Sequence, residues 1–274
     1  MNTEKPSSLS EVGDIIKDLN LPKQILDKAT ELAKTLFGPA ANEVGEMFAD
    51  KVRHRRMKNQ VVIFNKTVDL LEKNNLKARG LDMKTLVPLL EQSSLEEDEL
   101  LQDKWANLIA NIASTPASGL EPKLIKTLSS LSALEAQVFD FAFNQFTSER
   151  QKLYDDSQKR KYNVYKTLEE VRLDSVVLDF DEVKKEFGLT QEFAKICVDN
   201  LTALGLLRYD DPQIDIEDSG SEVHDEDDPD RGKAYNLELS VYATYSQSDD
   251  FTLTVYGRYF YNQCNNAPTG KKKA

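Results

Sequence analysis

The fold is decided by the stretch SLEEDELLQDKWANLIANIAS, residues 94–114. Its first four residues have the spacing of a capping box, in which Ser94 and Glu97 each accept a hydrogen bond from the other's backbone amide. The acidic residues at 96–99 suit the positive end of a helix dipole. Apolar residues then recur at helical spacing: Leu101, Trp105, Leu108, Ile109 and Ile112. The sequence therefore predicts a helix that is capped by Ser94 and buries one face.

Helical signals continue on the N-terminal side of this stretch. A short helix is predicted at residues 10–19, and Pro22 suits the first turn of the next helix. A long helical pattern follows at residues 40–76. Residues 84–87 are predicted to be extended, because Pro88 disfavours helical backbone in the residue before it, and a short helix is predicted to begin at Pro88.

Two more helices are predicted on the C-terminal side. Pro122 opens the first, which directs Leu124, Ile125 and Leu128 inward. Ser132 and Glu135 form a second capping box, and the helix behind it is predicted to run to about residue 146, with a charged and partly helical continuation to 161.

From residue 181 onward, short helices alternate with strands. Asp181 is predicted to cap a helix at 182–187, and Thr190 to cap a helix at 191–204. The predicted buried face of the second helix comprises Phe193, Ile196, Cys197, Leu201 and Leu204. Strands are predicted at 206–209, 235–245 and 251–254, followed by a closing helix around Gly257. Helix, turn, helix, strands and helix is the winged-helix order.

The composition is typical of a soluble, helix-rich protein. The 274 residues favour two domains, and 30% of them are charged. Two cysteines are too few for a disulfide scaffold, so a reducing compartment is the simplest setting. The first residues lack the pattern of a signal peptide, and no apolar stretch approaches the ~18 residues of a membrane span. We therefore expect a cytoplasmic protein without a transmembrane segment.

The acidity of the chain is concentrated in one segment. Eleven carboxylates and no Lys or Arg lie between Asp210 and Asp230, whereas the formal net charge of the whole chain is −12. Repulsion between these charges predicts a disordered loop at the position of a wing. The helix that would enter a DNA groove carries Lys195 as its single cation. Because duplex binding depends on cations at phosphates, this charge pattern disfavours DNA as the partner.

Two groups of residues are candidate binding sites. The basic run, defined as Lys51, Arg53, Arg55, Arg56 and Lys58, suits nucleic acid, anionic lipid, an acidic partner or the protein's own acidic segment. The alternative for the basic run is a solvated helix segment. The tyrosines Tyr242, Tyr245, Tyr256 and Tyr259 suit a partner interface, because tyrosine buries a large area and keeps a hydroxyl hydrogen bond. Their alternative is packing between the sheet and the closing helix.

Signatures of catalysis are missing from the sequence. No phosphate-binding glycine loop, nucleophile elbow or zinc signature occurs, and His54 and His224 are far apart in the chain. The sequence therefore predicts no catalytic residue, no cofactor site and no metal site.

Several segments together carry a family likeness. They are LFGPAANEVG at 36–45, VPLLE at 87–91, SLEEDEL at 94–100, WANLIAN at 105–111, PKLIKTL at 122–128 and LSALEA at 131–136. In this order they resemble the Abi-alpha (abortive infection alpha) family of bacterial proteins over residues 36–136, and more weakly over the C-terminal module. The resemblance implies a bacterial cytoplasmic protein of antiphage defence, in which an infected cell stops growing or dies before phage is released. It brings no catalytic residues with it.

The predicted fold is mainly α, with an N-terminal helical domain followed by a C-terminal α+β winged-helix-like domain. The predicted parts are a disordered leader (1–9), an Abi-alpha-like helical domain (10–150), a winged-helix-like domain (165–265) with an acidic insert (210–232), and a basic tail (266–274). The leading hypothesis is a non-enzymatic antiphage protein that acts on a host or phage protein as sensor or effector. A nucleic-acid-binding winged-helix regulator, a membrane-directed toxic effector and a homo-oligomer stay open.

Overall fold

The computed structural model describes residues 22–37, 51–160, 164–172, 176–210, 213–218, 241–246 and 249–268, and for 51–54, 213–218 and 241–246 it describes the backbone alone. The α-helices are α1 (Lys23–Phe37), α2 (Lys51–Lys73), α3 (Met83–Ser93), α4 (Glu99–Ser114), α5 (Glu121–Ser129), α6 (Ala133–Lys159), α7 (Phe180–Phe187), α8 (Gln191–Ala203) and α9 (Val255–Asn265). The strands are β1 (Leu207–Tyr209), β2 (Gln213–Asp218), β3 (Val241–Ser246) and β4 (Phe251–Leu253). The prediction of a mainly helical chain is confirmed.

Helix α4 lies at the centre of the buried core. Trp105, Leu108 and Ile109 are fully buried, and α2 and α9 pack against this helix. The prediction that Ser94 caps it is wrong. The cap is Asp98, whose carboxylate accepts from the Leu101 amide at 3.1 Å.

Ser94 instead ends the preceding helix. Its hydroxyl donates to the Glu91 carbonyl at 2.8 Å, and its backbone amide bonds the last carbonyls of α3. The backbone of Ser94 is helical, with φ −65° and ψ −21°, whereas an N-cap typically has extended backbone, as Asp98 does.

Helix α3 overturns the prediction of an extended segment before Pro88. The helix begins five residues before the proline, where the Asp82 carboxylate accepts from the Thr85 amide at 3.0 Å. Pro88 therefore lies inside the helix, where it removes one intrahelical hydrogen bond. Leu86 and Leu89 are fully buried, and this burial outweighs the local preference against helix.

Helices α5 and α6 agree with their predicted starts. Leu124, Ile125 and Leu128 of α5 are buried. The capping box of α6 is confirmed, because the Ser132 hydroxyl accepts from the Glu135 amide at 3.2 Å and the Glu135 carboxylate accepts from the Ser132 amide at 2.8 Å. The helix continues to Lys159, through the charged segment that was predicted to be partly helical.

The first helices pair with each other. Helix α1 begins directly after Pro22, as predicted, and packs on α2. Lys28 of α1 bridges to Asp69 at 3.3 Å and to Glu72 at 3.0 Å. The predicted leader (1–9), the predicted helix at 10–19 and positions 40–50 of the long pattern lie outside the described residues.

Helices α7 and α8 form the helical part of the C-terminal region. Helix α7 is capped by Asp179, which accepts from the Asp181 amide at 2.8 Å, so the prediction of Asp181 as the cap is wrong. It ends at Gly188, whose φ of +60° lies in the left-handed region that glycine tolerates. Thr190 caps α8 as predicted, with its hydroxyl accepting from the Phe193 amide at 3.3 Å.

The strands form two small antiparallel pairs. Strand β1 pairs with β4, with Leu207 opposite Leu253. Strand β2 pairs with β3, with Gln213 opposite Ser246. Because β2 lies inside the acidic segment, the prediction of a loop throughout that segment is wrong at residues 213–218. Alternation of Gln213, Ile214, Asp215, Ile216 and Glu217 fits the two-residue period of a strand.

Helix α9 joins the C-terminal region to the core. Its Phe260 and Cys264 are buried, and its Tyr261 stacks on Phe143 of α6 with ring centroids 3.5 Å apart. Phe139 of α6 meets the Phe260 ring at 6.0 Å. One continuous set of buried side chains therefore includes residues of α1–α6 and of α7–α9.

Candidate functional site

The basic run lies at the start of α2, and two of its members contact the junction between α3 and α4. Arg55 is exposed and pairs with Glu97 at 2.5 Å. Arg56 is half-buried and donates to the Ser94 hydroxyl at 2.9 Å and to the Glu91 carbonyl at 3.3 Å. Lys58 is exposed. The side chains of Lys51 and Arg53 lie outside the described residues.

Asn59 and Gln60, which follow the basic run on α2, also contact the end of α3. The Asn59 amide donates to the Ser94 carbonyl at 3.1 Å, and the Gln60 amide donates to the Leu90 carbonyl at 2.9 Å. The Leu90 carbonyl also accepts from the Ser94 amide, so Gln60 adds a second hydrogen bond to it, and Asn59 supplies a donor to the carbonyl of the residue that ends α3. Sequence reasoning missed Asn59 and Gln60, because their hydrogen-bond partners at the end of α3 lie 35 and 30 residues away in the chain.

The four candidate tyrosines are distributed over two elements. The Tyr256 hydroxyl on α9 lies 2.8 Å from the Thr127 hydroxyl, and the Lys123 ammonium lies 3.7 Å above the Tyr256 ring. Burial raises the pKa of Tyr256, and the hydrogen bond with Thr127 opposes that shift. Tyr259 is partly buried against the core. Tyr242 and Tyr245 belong to β3, of which the backbone alone is described.

Helix α8 presents a different face from the one predicted. Its buried residues are Ala194, Cys197, Val198 and Leu201. The prediction that Phe193 and Ile196 are buried is wrong, because 50% of Phe193 and 51% of Ile196 are exposed. The packing of α8 against α6, α7 and β1 selects a stripe that is rotated away from these two residues.

Three polar residues of α8 are engaged by residues outside the helix. The Lys195 ammonium pairs with Asp249 at 2.9 Å, and this hydrogen bond raises the pKa of Lys195. The Tyr209 hydroxyl of β1 donates to Asp199, and burial together with that bond raises the pKa of Tyr209. The Asn200 amide donates to Glu135 at the start of α6, at 2.8 Å. The one cation of α8 is therefore already neutralised.

Asp210 and Asp249 flank the β2–β3 pair in the chain, and each takes part in a contact. The Asp210 amide, at the end of β1, donates to the Asp250 carbonyl at 2.9 Å. Asp249, the neighbour of Asp250, is the residue that pairs with Lys195. The chain enters β2 three residues after Asp210 and leaves β3 three residues before Asp249. Asp249 thus links the residues after β3 to Lys195 of α8.

A buried polar cluster connects α4, α6 and α9. The Lys104 ammonium donates to both carboxylate oxygens of Asp140 and to the Asn265 side chain, at 2.6 Å for the last. Asn111 of α4 donates to the carbonyls of Gln263 and Asn266, at 2.9 Å and 2.8 Å. Burial raises the pKa of the neighbouring Cys264 thiol. The hydrogen bonds of the cluster join α4 to α6 and to α9, so the cluster holds these helices together.

Two further findings bear on function. Within the described ranges, no group of three or more His, Cys, Asp or Glu side chains is placed to hold a metal ion. Every helix in those ranges is too short or too polar to traverse a lipid bilayer.

Comparison with known proteins gives one match. The family model described as abortive infection alpha matches residues 51–264, which is most of the chain. The match spans α2–α8, the four strands and most of α9. No curated protein and no solved structure matches the chain.

Proposed function

Because the chain belongs to the abortive infection alpha family, we propose that it is a cytoplasmic antiphage defence protein without enzymatic activity. It acts through contacts with a host or phage protein, as sensor or effector. The family match over residues 51–264 supports the defence role. The observation that carries the mode of action is the exposed apolar pair on α8, Phe193 and Ile196.

The C-terminal region is proposed to act as a winged-helix-like module used for protein contact. The order α7, α8, β1, β4 and α9 supports that assignment, with β2 and β3 in the place of a wing. Helix α8 would be the reading helix of a DNA-binding relative of this architecture. Here its single cation, Lys195, is paired with Asp249, and its exposed face carries Phe193 and Ile196. Apolar side chains suit a protein surface better than a phosphate backbone.

The basic run supplies no stronger case for nucleic acid. Arg55 is paired with Glu97, and Arg56 holds the end of α3. We therefore expect a gel-shift assay with duplex DNA to give the same result for the wild-type chain and for Arg55→Ala, at low salt as well as at physiological salt.

The proposal is tested by infection of cells that express the chain. A bacterial host lacking the gene receives the wild-type chain or the double variant Phe193→Ser/Ile196→Ser, and each strain is challenged with a panel of phages. Wild type is expected to reduce plaque counts while infected cells die or stop growing, and the double variant is expected to lose this protection.

The matched control is the double variant Leu95→Ser/Leu120→Ser. It removes two side chains of similar exposure, 58% and 42%, from loops that lie before α4 and α5. This control should protect as wild type does. Plaque counts that the wild-type chain leaves unchanged across the panel would contradict the defence role, and equal protection by both double variants would contradict the role of α8.

A further inference from the structure

We propose that the outer edge of β3 pairs with the β3 strand of a second copy of this chain, in antiparallel orientation. The product is a four-stranded sheet in which the two β3 strands lie at the centre and the two β2 strands lie at the edges. This inference goes beyond the proposed function, because contact with a host or phage protein does not require an interface between copies of the chain.

Strand β3 has one strand neighbour among the residues that the structure describes. It pairs with β2 from Val241, opposite Asp218, to Ser246, opposite Gln213. In an antiparallel pair, alternate residues of each strand direct their amide and carbonyl groups to the partner strand, and the residues between them direct these groups outward. The outer edge of β3 therefore offers backbone donors and acceptors at strand spacing to a further strand.

The next strand of the chain, β4, already accepts a neighbour on its outer edge. Phe251 lies opposite Tyr209 of β1 and, on its other edge, exchanges two backbone hydrogen bonds with Leu178, at 2.9 Å and 3.1 Å. The Asp210 amide donates to the Asp250 carbonyl, and this bond continues the β1–β4 pair towards β2 and β3. Antiparallel addition to an outer edge is thus a geometry that the chain itself uses beside β3.

The sequences of the two strands distinguish the edge of β3 from the edge of β2. Strand β3 reads VYATYS and contains no charged residue and no proline, whereas β2 reads QIDIED and contains three carboxylates. Charged residues and proline are the means by which edge strands avoid pairing with other chains, and like charges on directly opposed strands are destabilising. The edge of β3 is consequently open to its own copy, and the edge of β2 is protected.

The acidity of the chain is compatible with this pairing because of the order of the strands. Neighbouring strands are about 4.8 Å apart, so the two β2 strands of the four-stranded sheet lie about 14 Å from each other. That distance exceeds the Debye length of about 8 Å at physiological salt, so their mutual repulsion is largely screened. The formal net charge of −12 on each chain still opposes association at low salt.

Pairing also stabilises the strands themselves. An isolated pair of strands is marginally stable in water, whereas a sheet of three or more strands with an apolar face can be stable by itself. The interface is nevertheless small, because it consists of one short strand from each copy. A small interface gives a weak dimer that forms as the concentration of the chain rises.

Sedimentation velocity of the full chain tests for the dimer. Between about 1 and 200 µM, the weight-average sedimentation coefficient should rise from that of a monomer towards that of a dimer. Raising sodium chloride from about 50 to 500 mM should strengthen the association at least about threefold, because salt screens the repulsion between two acidic chains. An interface held by ion pairs between the copies would weaken instead.

Single cysteine variants then locate the interface. Four variants place a cysteine on β3, and each is matched with a variant at the directly opposite position of β2. The matched pairs are Tyr242→Cys with Glu217→Cys, Ala243→Cys with Ile216→Cys, Thr244→Cys with Asp215→Cys, and Tyr245→Cys with Ile214→Cys. The native cysteines, Cys197 and Cys264, are buried, so they give a low background.

A short bismaleimide reagent reaches across one strand spacing but not across the three spacings that separate the β2 strands. At least one β3 variant should therefore yield about fivefold more cross-linked dimer than its β2 counterpart. Unchanged circular dichroism and thermal midpoints show that each variant is folded.

Four results would overturn the interface. They are a monomer at every concentration, a dimer that weakens as salt is raised, cross-linking of the β2 variants as efficient as that of their β3 counterparts, and a dimer that no β3 variant cross-links. All four are independent of the plaque counts that test the defence role, so the two proposals fail separately.

Discussion

Lys104 and Asp140 form an ion pair inside the protein, with the ammonium 2.8 Å and 2.7 Å from the two carboxylate oxygens. The Lys104 side chain is 5% exposed and that of Asp140 is 24% exposed. Asn265 completes the arrangement, because its oxygen accepts from Lys104 at 2.6 Å and its amide donates to Asp140 at 2.7 Å. The buried ammonium therefore has three acceptor oxygens from residues of two other helices, and Asp140 compensates its charge.

Replacing Asp140 by Ala should lower the free energy of unfolding by about 3 kcal/mol, since it leaves the Lys104 charge buried without its counterion. Urea denaturation followed by the fluorescence of Trp105, the single tryptophan, measures the loss. The control is Asp103→Ala, which removes the more exposed partner of Lys66 and should change stability by at most ~1 kcal/mol. An equal loss of unfolding free energy in the two variants would show that burial of the Lys104–Asp140 pair does not affect stability.

Gly257→Ala should destabilise the protein by about 3 kcal/mol. A Cβ at this position of α9 would lie 2.1 Å from the Leu206 carbonyl oxygen, so backbone would have to move. Gly80→Ala is the matched control, because the nearest atom to its Cβ would be the Thr35 carbonyl oxygen at an ordinary 3.6 Å. Thermal unfolding of both variants measures the difference, and a Gly257→Ala midpoint equal to that of wild type would refute the close approach of α9 to β1.

The stability of the protein should fall in acid partly through Glu135. Burial alone would raise the pKa of this carboxyl group. Hydrogen bonds from the Ser132 amide, the Ser132 hydroxyl and Asn200 outweigh that effect, so the net pKa lies below the usual 4.5. Because the folded-state pKa is lowered, the contribution is present above the unfolded-state pKa and is lost as pH falls through the folded-state pKa.

Glu135→Gln is therefore expected to flatten the dependence of the unfolding free energy on pH below 4.5. Urea denaturation across a pH series measures the slope, and Glu31→Gln, at an exposed position of α1, gives the background. A slope that Glu135→Gln leaves as steep as that of the background variant would count against a lowered pKa.

Arg56→Ala should lower the free energy of unfolding by about 1–2 kcal/mol, because it removes charge-assisted hydrogen bonds to the Ser94 hydroxyl and the Glu91 carbonyl. Arg55→Ala removes an exposed pair with Glu97 and should cost about 0–1 kcal/mol. Chemical denaturation of the two variants compares neighbouring arginines of the basic run. A larger loss in Arg55→Ala would reverse the roles that the structure gives them.

The two capping-box patterns show how far local sequence reaches. Ser132 with Glu135 forms the predicted box, whereas Ser94 with Glu97 has the same spacing and forms none. The difference lies upstream, where α3 runs to Ser93 and takes Ser94 as its end. That helix passes through Pro88, a residue whose local preference opposed it, and its stability comes from the burial of Leu86 and Leu89. The path of α3 through Pro88 and the loss of the Ser94 cap therefore both depend on packing partners that are distant in the sequence.

Helix α8 shows the same limit at the candidate site. Its start after Thr190 could be predicted from the cap, but its orientation could not. Cys197 and Leu201 belong to the predicted and to the observed buried stripe, so periodicity alone does not choose between the two. The choice followed from Val198 and Ala194 packing inward, which left Phe193 and Ile196 exposed. The ion pair between Lys195 and Asp249 joins residues too distant in the chain for any local pattern to reveal.

The position of α9 constrains how the protein is made in the cell. Phe260, Cys264 and Asn265 fill the space beside α4 and α6, so the interior stays open until the ribosome has delivered this helix. A truncated chain that ends before α9 would leave the Phe139 ring without the Phe260 ring that packs on it, and the Lys104 ammonium without the Asn265 oxygen. Proteases that triage unfolded chains act on such exposed interiors, so we expect a nonsense mutation upstream of α9 to lower the amount of the protein in the cell.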